Sequence, residues 1–253
     1  MNRRVRLMLF GASAVALGVV LVLGLRGLPA FGHYQGVYGR VLVGVGVGLR
    51  HATDLVTALN FDFRAFDTLG EEFILFGSVL GIVLILRDLR DEDERLNRVE
   101  ADEHTFAGAS EALRALALIL VPALIAIGVY IVVHGQLTPG GGFQGGLILA
   151  AAPLAVLVAG RYMRMRIVAP HTLVELGDAI GAVGYALIGL SGLVFVGVFF
   201  KNFLPFGIPG HLLSAGQMDL ASAAVGLEVS GAFLVAWSEF LDQAILVKDS
   251  SRS

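Results

Sequence analysis

Glu228 is an isolated charge in an apolar stretch, Ala-Val-Gly-Leu-Glu-Val (224–229). Carrying a charge to the centre of a bilayer costs about 2.5–3.5 kcal/mol on insertion scales. Such a residue therefore faces a protein interior or a watery path. Two readings fit Glu228: a cation or proton site, or a neutral carboxyl hydrogen-bonded to another helix. Glu71 and Glu72 follow Phe-Asp-Thr-Leu-Gly (66–70), and Asp67 lies one helical turn before Glu71. As a bland alternative, these are the acidic first turn of a helix, capped by Asp67 or Thr68 and favoured by the helix dipole. As a functional alternative, they form an ion or proton site. A carboxylate exchanges Na⁺ for H⁺ only in a partly dry place, where the two cations compete for it.

Other polar groups carry weaker signals. Glu175 and Asp178 read as interfacial capping or ion-pairing residues beside Arg164 and Arg166. His134 ends an apolar run, as either a polar interface residue or a proton relay. Lys201 and His211 read as solvated. The segment Thr138-Pro139-Gly140-Gly141-Gly142-Phe143-Gln144-Gly145-Gly146 formally contains G-x-G-x-x-G. An apolar helix precedes it rather than a strand, which rules out a dinucleotide site. Its glycines instead let helices approach closely or let backbone amides line a cavity, and Gly142 and Gly146 have small-xxx-small spacing. Nothing suggests covalent catalysis or a metal centre. No cysteine is present, so thiol chemistry and disulfides are excluded.

The elements that carry these residues must lie in lipid. Hydrophobic residues make up 56% of the 253-residue chain and charged residues 15%, with a mean hydropathy of +0.80. A soluble surface needs about 25% charged residues. Apolar runs at about 7–25, 73–86, 115–133, 143–160, 179–200 and 220–237 predict an all-α bundle of about six transmembrane helices. The second run reaches spanning length only if its helix begins near Thr68 and includes Glu71 and Glu72. The first has a basic flank in Arg3, Arg4 and Arg6. It lacks a clear cleavage site near Leu28-Pro29-Ala30 and reads as an uncleaved helix.

Arginine placement gives an orientation. Arg3, Arg4 and Arg6, then Arg87, Arg90, Arg95 and Arg98, then Arg161, Arg164 and Arg166, then Lys248 and Arg252 fall on one side if there are six spans. That side is expected to be the cytoplasm, with both termini there. Residues 26–67 are then external, and Val41–Leu49 within them reads as a surface or partly dipping helix. The expected organisation is a two-helix front part at 1–90, a charged linker at 91–111, a four-helix rear part at 112–245 and a tail at 246–253. Net charge is −3 and no long basic block occurs, so no nucleic-acid partner is expected.

The rear part, about 112–243, resembles the small B-type subunit of the Mrp-type (Mnh-type) Na⁺/H⁺ antiporter. The resemblance rests on His-Gly-Gln-Leu-Thr-Pro-Gly-Gly-Gly-Phe-Gln-Gly-Gly (134–146), Asn-Phe-Leu-Pro-Phe-Gly (202–207), Ser-Ala-Gly (214–216) and Ala-Val-Gly-Leu-Glu-Val (224–229). The front part, about 37–90, resembles the C-terminal tail of the large A-type subunit of the same antiporters, through Asp-Phe-Arg-Ala-Phe-Asp-Thr-Leu-Gly-Glu (62–71). The resemblance implies a non-enzymatic component of a multisubunit antiporter in the cell membrane, working beside sister subunits. It implies no cofactor, with Na⁺ and H⁺ as the transported ions. It makes Glu71 the acidic residue of the ion route and puts Pro139, Gly142, Phe143 and Gln144 at the family's signature turn. Related modules occur in membrane-bound hydrogenases and complex I-like machines. A redox-driven complex, and a purely structural subunit, therefore stay open as alternatives.

Overall fold

The computed structural model describes residues 3–28, 36–87, 110–159 and 169–250. The expected linker at 91–111 lies almost wholly outside them. The described residues are helical and contain no strand: α1 (Arg3–Arg26), α2 (Val37–Arg50), α3 (Leu55–Ala58), a π-helical turn (Leu59–Phe63), α4 (Ala65–Arg87), α5 (Glu111–Val133), α6 (Gly142–Val158), α7 (His171–Val196) and α8 (Gln217–Ser250). The chain divides into two compact units, Met1–Leu42 and Val43–Ser253. The first holds α1 and the start of α2; the second holds the other elements.

Among the described residues four helices are long and apolar enough to cross a membrane: Ala65–Leu86, Glu111–Val133, Thr172–Val196 and Gln217–Leu241. The expected first span is the 24-residue α1, whose stretch Phe10–Arg26 is apolar, and the expected fourth is the 17-residue α6. α6 begins at Gly142, directly after the glycine turn. The expected dipping segment is α2, which forms a pair with Leu55–Phe63 bent by 87°. The break falls at His51, whose φ is 53°, and α3 restarts under an Asp54 cap that accepts from the Thr57 amide at 2.9 Å. Side chains such as Leu118, Val194 and Ile74 point outward at 77%, 76% and 71% exposure. In a bilayer such faces meet lipid or a neighbouring chain rather than water.

α8 is the axis of the second unit, and glycines let its neighbours close on it. A methyl group at Gly142 would lie 2.5 Å from the Ser222 carbonyl oxygen, and one at Gly146 would lie 2.7 Å from that of Gly226. Both positions bring α6 against α8. On the other flank, a methyl at Gly181 would meet the Glu228 amide nitrogen at 2.4 Å, and one at Gly231 would meet that of Asp178 at 2.6 Å. Gly145 serves α5 in the same way, with a methyl group there 2.8 Å from the Gly128 oxygen. Small residues let backbones approach so closely, and dispersion between them holds helices that gain nothing from the hydrophobic effect in lipid.

A cap of loops closes the bundle at the end where α8 begins. The Asp54 amide donates to the Gln136 carbonyl at 3.1 Å. The hydroxyls of Thr53 and Thr57 donate to Leu137 O and Gly135 O at 2.7 and 2.6 Å. His51 Nδ1 bonds the Gly207 carbonyl. Asn202 Oδ1 accepts from the Gln217 amide at 2.8 Å, capping α8, and the Gln217 side chain donates to Phe200 O at 2.7 Å. These bonds tie the segment before α4 to the glycine turn and to α8, and so fix α4 against the rear helices.

Gly142→Val is expected to overpack the α6–α8 contact and cost about 1–3 kcal/mol. Asn202→Ala is expected to remove the α8 cap at about 1 kcal/mol. Thermal loss of monodisperse protein in mild detergent measures both, and an unchanged midpoint in either variant contradicts the contact assigned to it.

Candidate functional site

α4 and α8 bring two carboxyl groups together in the interior. Glu72 on α4 is 1% exposed and Glu228 on α8 is 0% exposed. Their side chains lie within interaction range of each other. Even so, none of their four oxygens has a hydrogen-bond partner of proper geometry among the described residues. Asp178 on α7 joins them electrostatically; it is 5% exposed and its Oδ1 is also without a partner. Three helices thus converge on an acidic cluster.

The backbone explains the convergence. α8 can present Glu228 inward only because Gly181 leaves room for the Glu228 main chain. Asp178 comes to the same seam because Gly231 admits its backbone. On α4, Glu71 and Glu72 are separated by about 100° around the helix, so only one can face α8, and it is Glu72.

Like charges this close in a dry place cannot both stay bare, because desolvation and repulsion add. The pair must hold a proton, a small cation or a donor from water. A group of that kind can pass one positive charge for another, as an exchanger requires. Among the described residues no cluster has the geometry of a metal-ion site.

Toward the loop cap the cluster is sealed. Thr68, 1% exposed, donates its hydroxyl to Asn60 O at 2.8 Å. Tyr185, 0% exposed, donates to Ala65 O at 3.0 Å. Phe61 and Phe200 flank the Tyr185 ring with centroids at 6.1 and 5.1 Å. Beyond this plug, Asp62 pairs with Arg50, which also stacks over Phe63 at 4.7 Å.

The other sequence candidates lie elsewhere. Glu71 is exposed on the outer face of α4. Asp67 is exposed and forms an ion pair with Arg64. His134 caps the end of α5, half-buried, with its Nδ1 3.0 Å from Tyr130 O and its ring stacked on Tyr130 at 4.0 Å. Within the signature turn, Gly141 takes φ 111° and its amide donates to Ile131 O at 3.1 Å. Pro139 and Gln144 are exposed, Gly140 packs against Ile131, Phe143 packs against the core, and Gly142 and Gly146 lie against Val225 and Val229. The turn shapes the helix contacts and puts no ionisable group into the cluster.

The sequence reading puts Asp178 in the first turns of its helix, near the membrane edge. The helix begins at His171, so Asp178 lies about 10 Å inside it. The signal that could find it is an acidic residue beside Gly177 and Gly181 in a helical pattern. Thr68 and Tyr185 give no comparable signal.

Comparison with known proteins agrees with this architecture. A family model described as a domain related to the MnhB subunit of the Na⁺/H⁺ antiporter matches residues 112–235. An uncharacterized protein of Methanocaldococcus jannaschii is 32% identical over 213 residues, which cover 78% of this chain and 80% of that protein. A chain of the membrane-bound sulfane sulfur reductase, an archaeal respiratory membrane complex, superposes with a TM-score of 0.69 at 28% identity. That match covers 94% of this chain and 98% of that one. A chain of the Mrp complex from Dietzia sp. DQ12-45-1b shares the fold with a TM-score of 0.68 at 23% identity, over 94% of this chain and 26% of that one. Residues 112–235 of this multi-pass membrane protein thus belong to the family of domains related to the MnhB subunit of the Na⁺/H⁺ antiporter, and the chain is of one family with the Methanocaldococcus jannaschii protein.

Proposed function

We propose that this chain is a plasma-membrane component of a multisubunit monovalent cation/proton antiporter, with Na⁺ as the cation, and that its Glu72–Glu228 pair lies on the exchange path. The observation that carries the reading is the pair itself: two fully buried carboxyls from different helices, within reach of each other and with no other hydrogen-bond partner among the described residues. A purely structural protein gains nothing from such an arrangement, since a buried polar group without a partner costs about 1–3 kcal/mol. Holding the cost is worthwhile where the groups exchange ions, and one charge crossing 100 mV delivers about 2.3 kcal/mol. Glu71, exposed one residue away, then continues the route toward a neighbouring polypeptide. Its part in the route, implied by the family resemblance, is consistent with its outward position on α4. The front segment acts like the tail of the large antiporter subunit, docked on an MnhB-like bundle. The chain is a transporter component and not an enzyme.

One observation favours a second reading, the membrane arm of a redox-driven complex. The match to the sulfane sulfur reductase chain runs over nearly its whole length, whereas the Mrp chain is much longer than this one. The ion-handling role of the pair is the same in both readings; only the driving reaction differs. Proteins that co-purify with the tagged chain in mild detergent separate them. Large antiporter subunits alone are expected, and iron–sulfur subunits would replace the first reading with the second.

The assembled complex, reconstituted in liposomes, is expected to lose Na⁺-dependent proton exchange by about 10-fold or more in Glu228→Gln, Glu72→Gln and Glu71→Gln. Assembly should be retained. Undiminished exchange in both Glu72→Gln and Glu228→Gln removes the pair from the mechanism.

A further inference from the structure

The two ends of the cluster differ. Toward the loop cap, the Thr68 and Tyr185 hydroxyls are committed to backbone carbonyls, and Phe61 and Phe200 pack around the Tyr185 ring. Toward the end where α7 begins, the groups continue. Gly181 faces the Glu228 backbone and Gly231 that of Asp178, so Asp178 lies about one helical turn further along the same seam. Glu175, one turn earlier on α7, is exposed and acts on Asp178 electrostatically. A cleft of about 230 Å³ opens at the same end between α6, α7 and α8, lined among others by Pro153, Val174, Gly177, Ser230 and Gly231. Gly231 and Val174 lie directly against Asp178, as a methyl group on Gly231 would touch the Val174 oxygen at 2.7 Å and the Asp178 amide nitrogen at 2.6 Å. Asp178 does not itself line the cleft, whose walls are apolar apart from Ser230, so the exposed Glu175 is the group that carries the acidic series to the surface on this side.

Resting on the reading of the pair given above, we propose that Asp178 is the proton entry group of the chain. It would connect the water on the side that the arginines assign to the cytoplasm with the Glu72–Glu228 pair. The pair has no counterpart entry toward the loop cap. Asp178 itself is nine-tenths buried and keeps one oxygen without a partner, as a relay that alternates between donor and acceptor needs. In each step the proton leaves the Asp178 carboxyl for a Glu228 oxygen. The Asp178 carboxylate left behind takes a proton from water on the Glu175 side, and the positive charge displaced from the pair departs by the route through Glu71. No bond other than O–H forms or breaks. Asp178 works through the pair and sets the rate of its reloading.

The test uses the reconstituted complex with azide, a small carrier that shuttles protons without needing a fixed relay. Asp178→Asn is expected to slow Na⁺-dependent proton exchange by about 10-fold or more. Millimolar azide is expected to restore it, and Asp178→Glu to retain it. Glu228→Gln is expected to stay inactive with azide, because the exchanging group itself is gone. Normal exchange in Asp178→Asn alongside an inactive Glu228→Gln overturns the entry role and leaves the pair in place. Slow exchange that azide does not relieve overturns it too, by showing a structural effect. Normal exchange in both variants overturns the proposed function as well. Should Asp178→Asn fail to assemble, Asp178→Glu and Glu175→Gln carry the test. With Asp178 as the entry group, Glu175→Gln weakens the local negative potential and slows reloading with azide relief, and no slowing counts against the entry role.

Discussion

The close approach of helix backbones around α8 is the constraint on which the rest depends. Gly142, Gly146, Gly181 and Gly231 each stand where a methyl group would strike the main chain of a neighbouring helix. In lipid there is no hydrophobic gain in pushing helices together, so contact area at short range must hold them. The same contacts leave little space for water beside α8. A glutamate on that helix is therefore dry because of glycines on other helices. Gly231, three residues further along α8, completes the seam.

Dryness gives the carboxyls their chemistry. In water, Glu72 and Glu228 would be two independent charges. Packed together and cut off from donors, they form one site whose charge state must be settled by a proton or cation. The loop cap adds direction. Its hydrogen bonds run from the segment before α4 to the glycine turn and the start of α8. They set the register of α4 on α8 and so decide that Glu72 meets Glu228. They also hold the aromatic plug over Tyr185.

Much of this is legible in the residues. Helical class and membrane residence follow from the apolar runs, and the burial of Glu228 from its being an isolated acid within one of them. The small-xxx-small spacing of Gly142 and Gly146 points to close packing, and the structure shows its partner to be α8. The helix carrying Glu71 and Glu72 begins at Ala65, near the expected start at Thr68. Other features are not legible. Adjacent glutamates point in different directions, and which one faces inward depends on the register of a helix some 150 residues away. The motif draws attention to Glu71, whereas burial falls on Glu72. The sequence pattern puts Asp178 in the first turns of its helix, where the structure has it, but gives no sign that its side chain is buried against α8. Each of the six apolar runs lies on a helix, and the shortest of these is the 17-residue α6.

The central claim is that the buried pair exchanges a proton for a cation. Infrared difference spectroscopy of the reconstituted complex on adding Na⁺ measures this without relying on transport rates. The account predicts a negative band in the carbonyl region of protonated carboxyls as Na⁺ displaces the proton, absent in Glu228→Gln. A spectrum with no carboxyl band on Na⁺ addition, or one unchanged by Glu228→Gln, would contradict it.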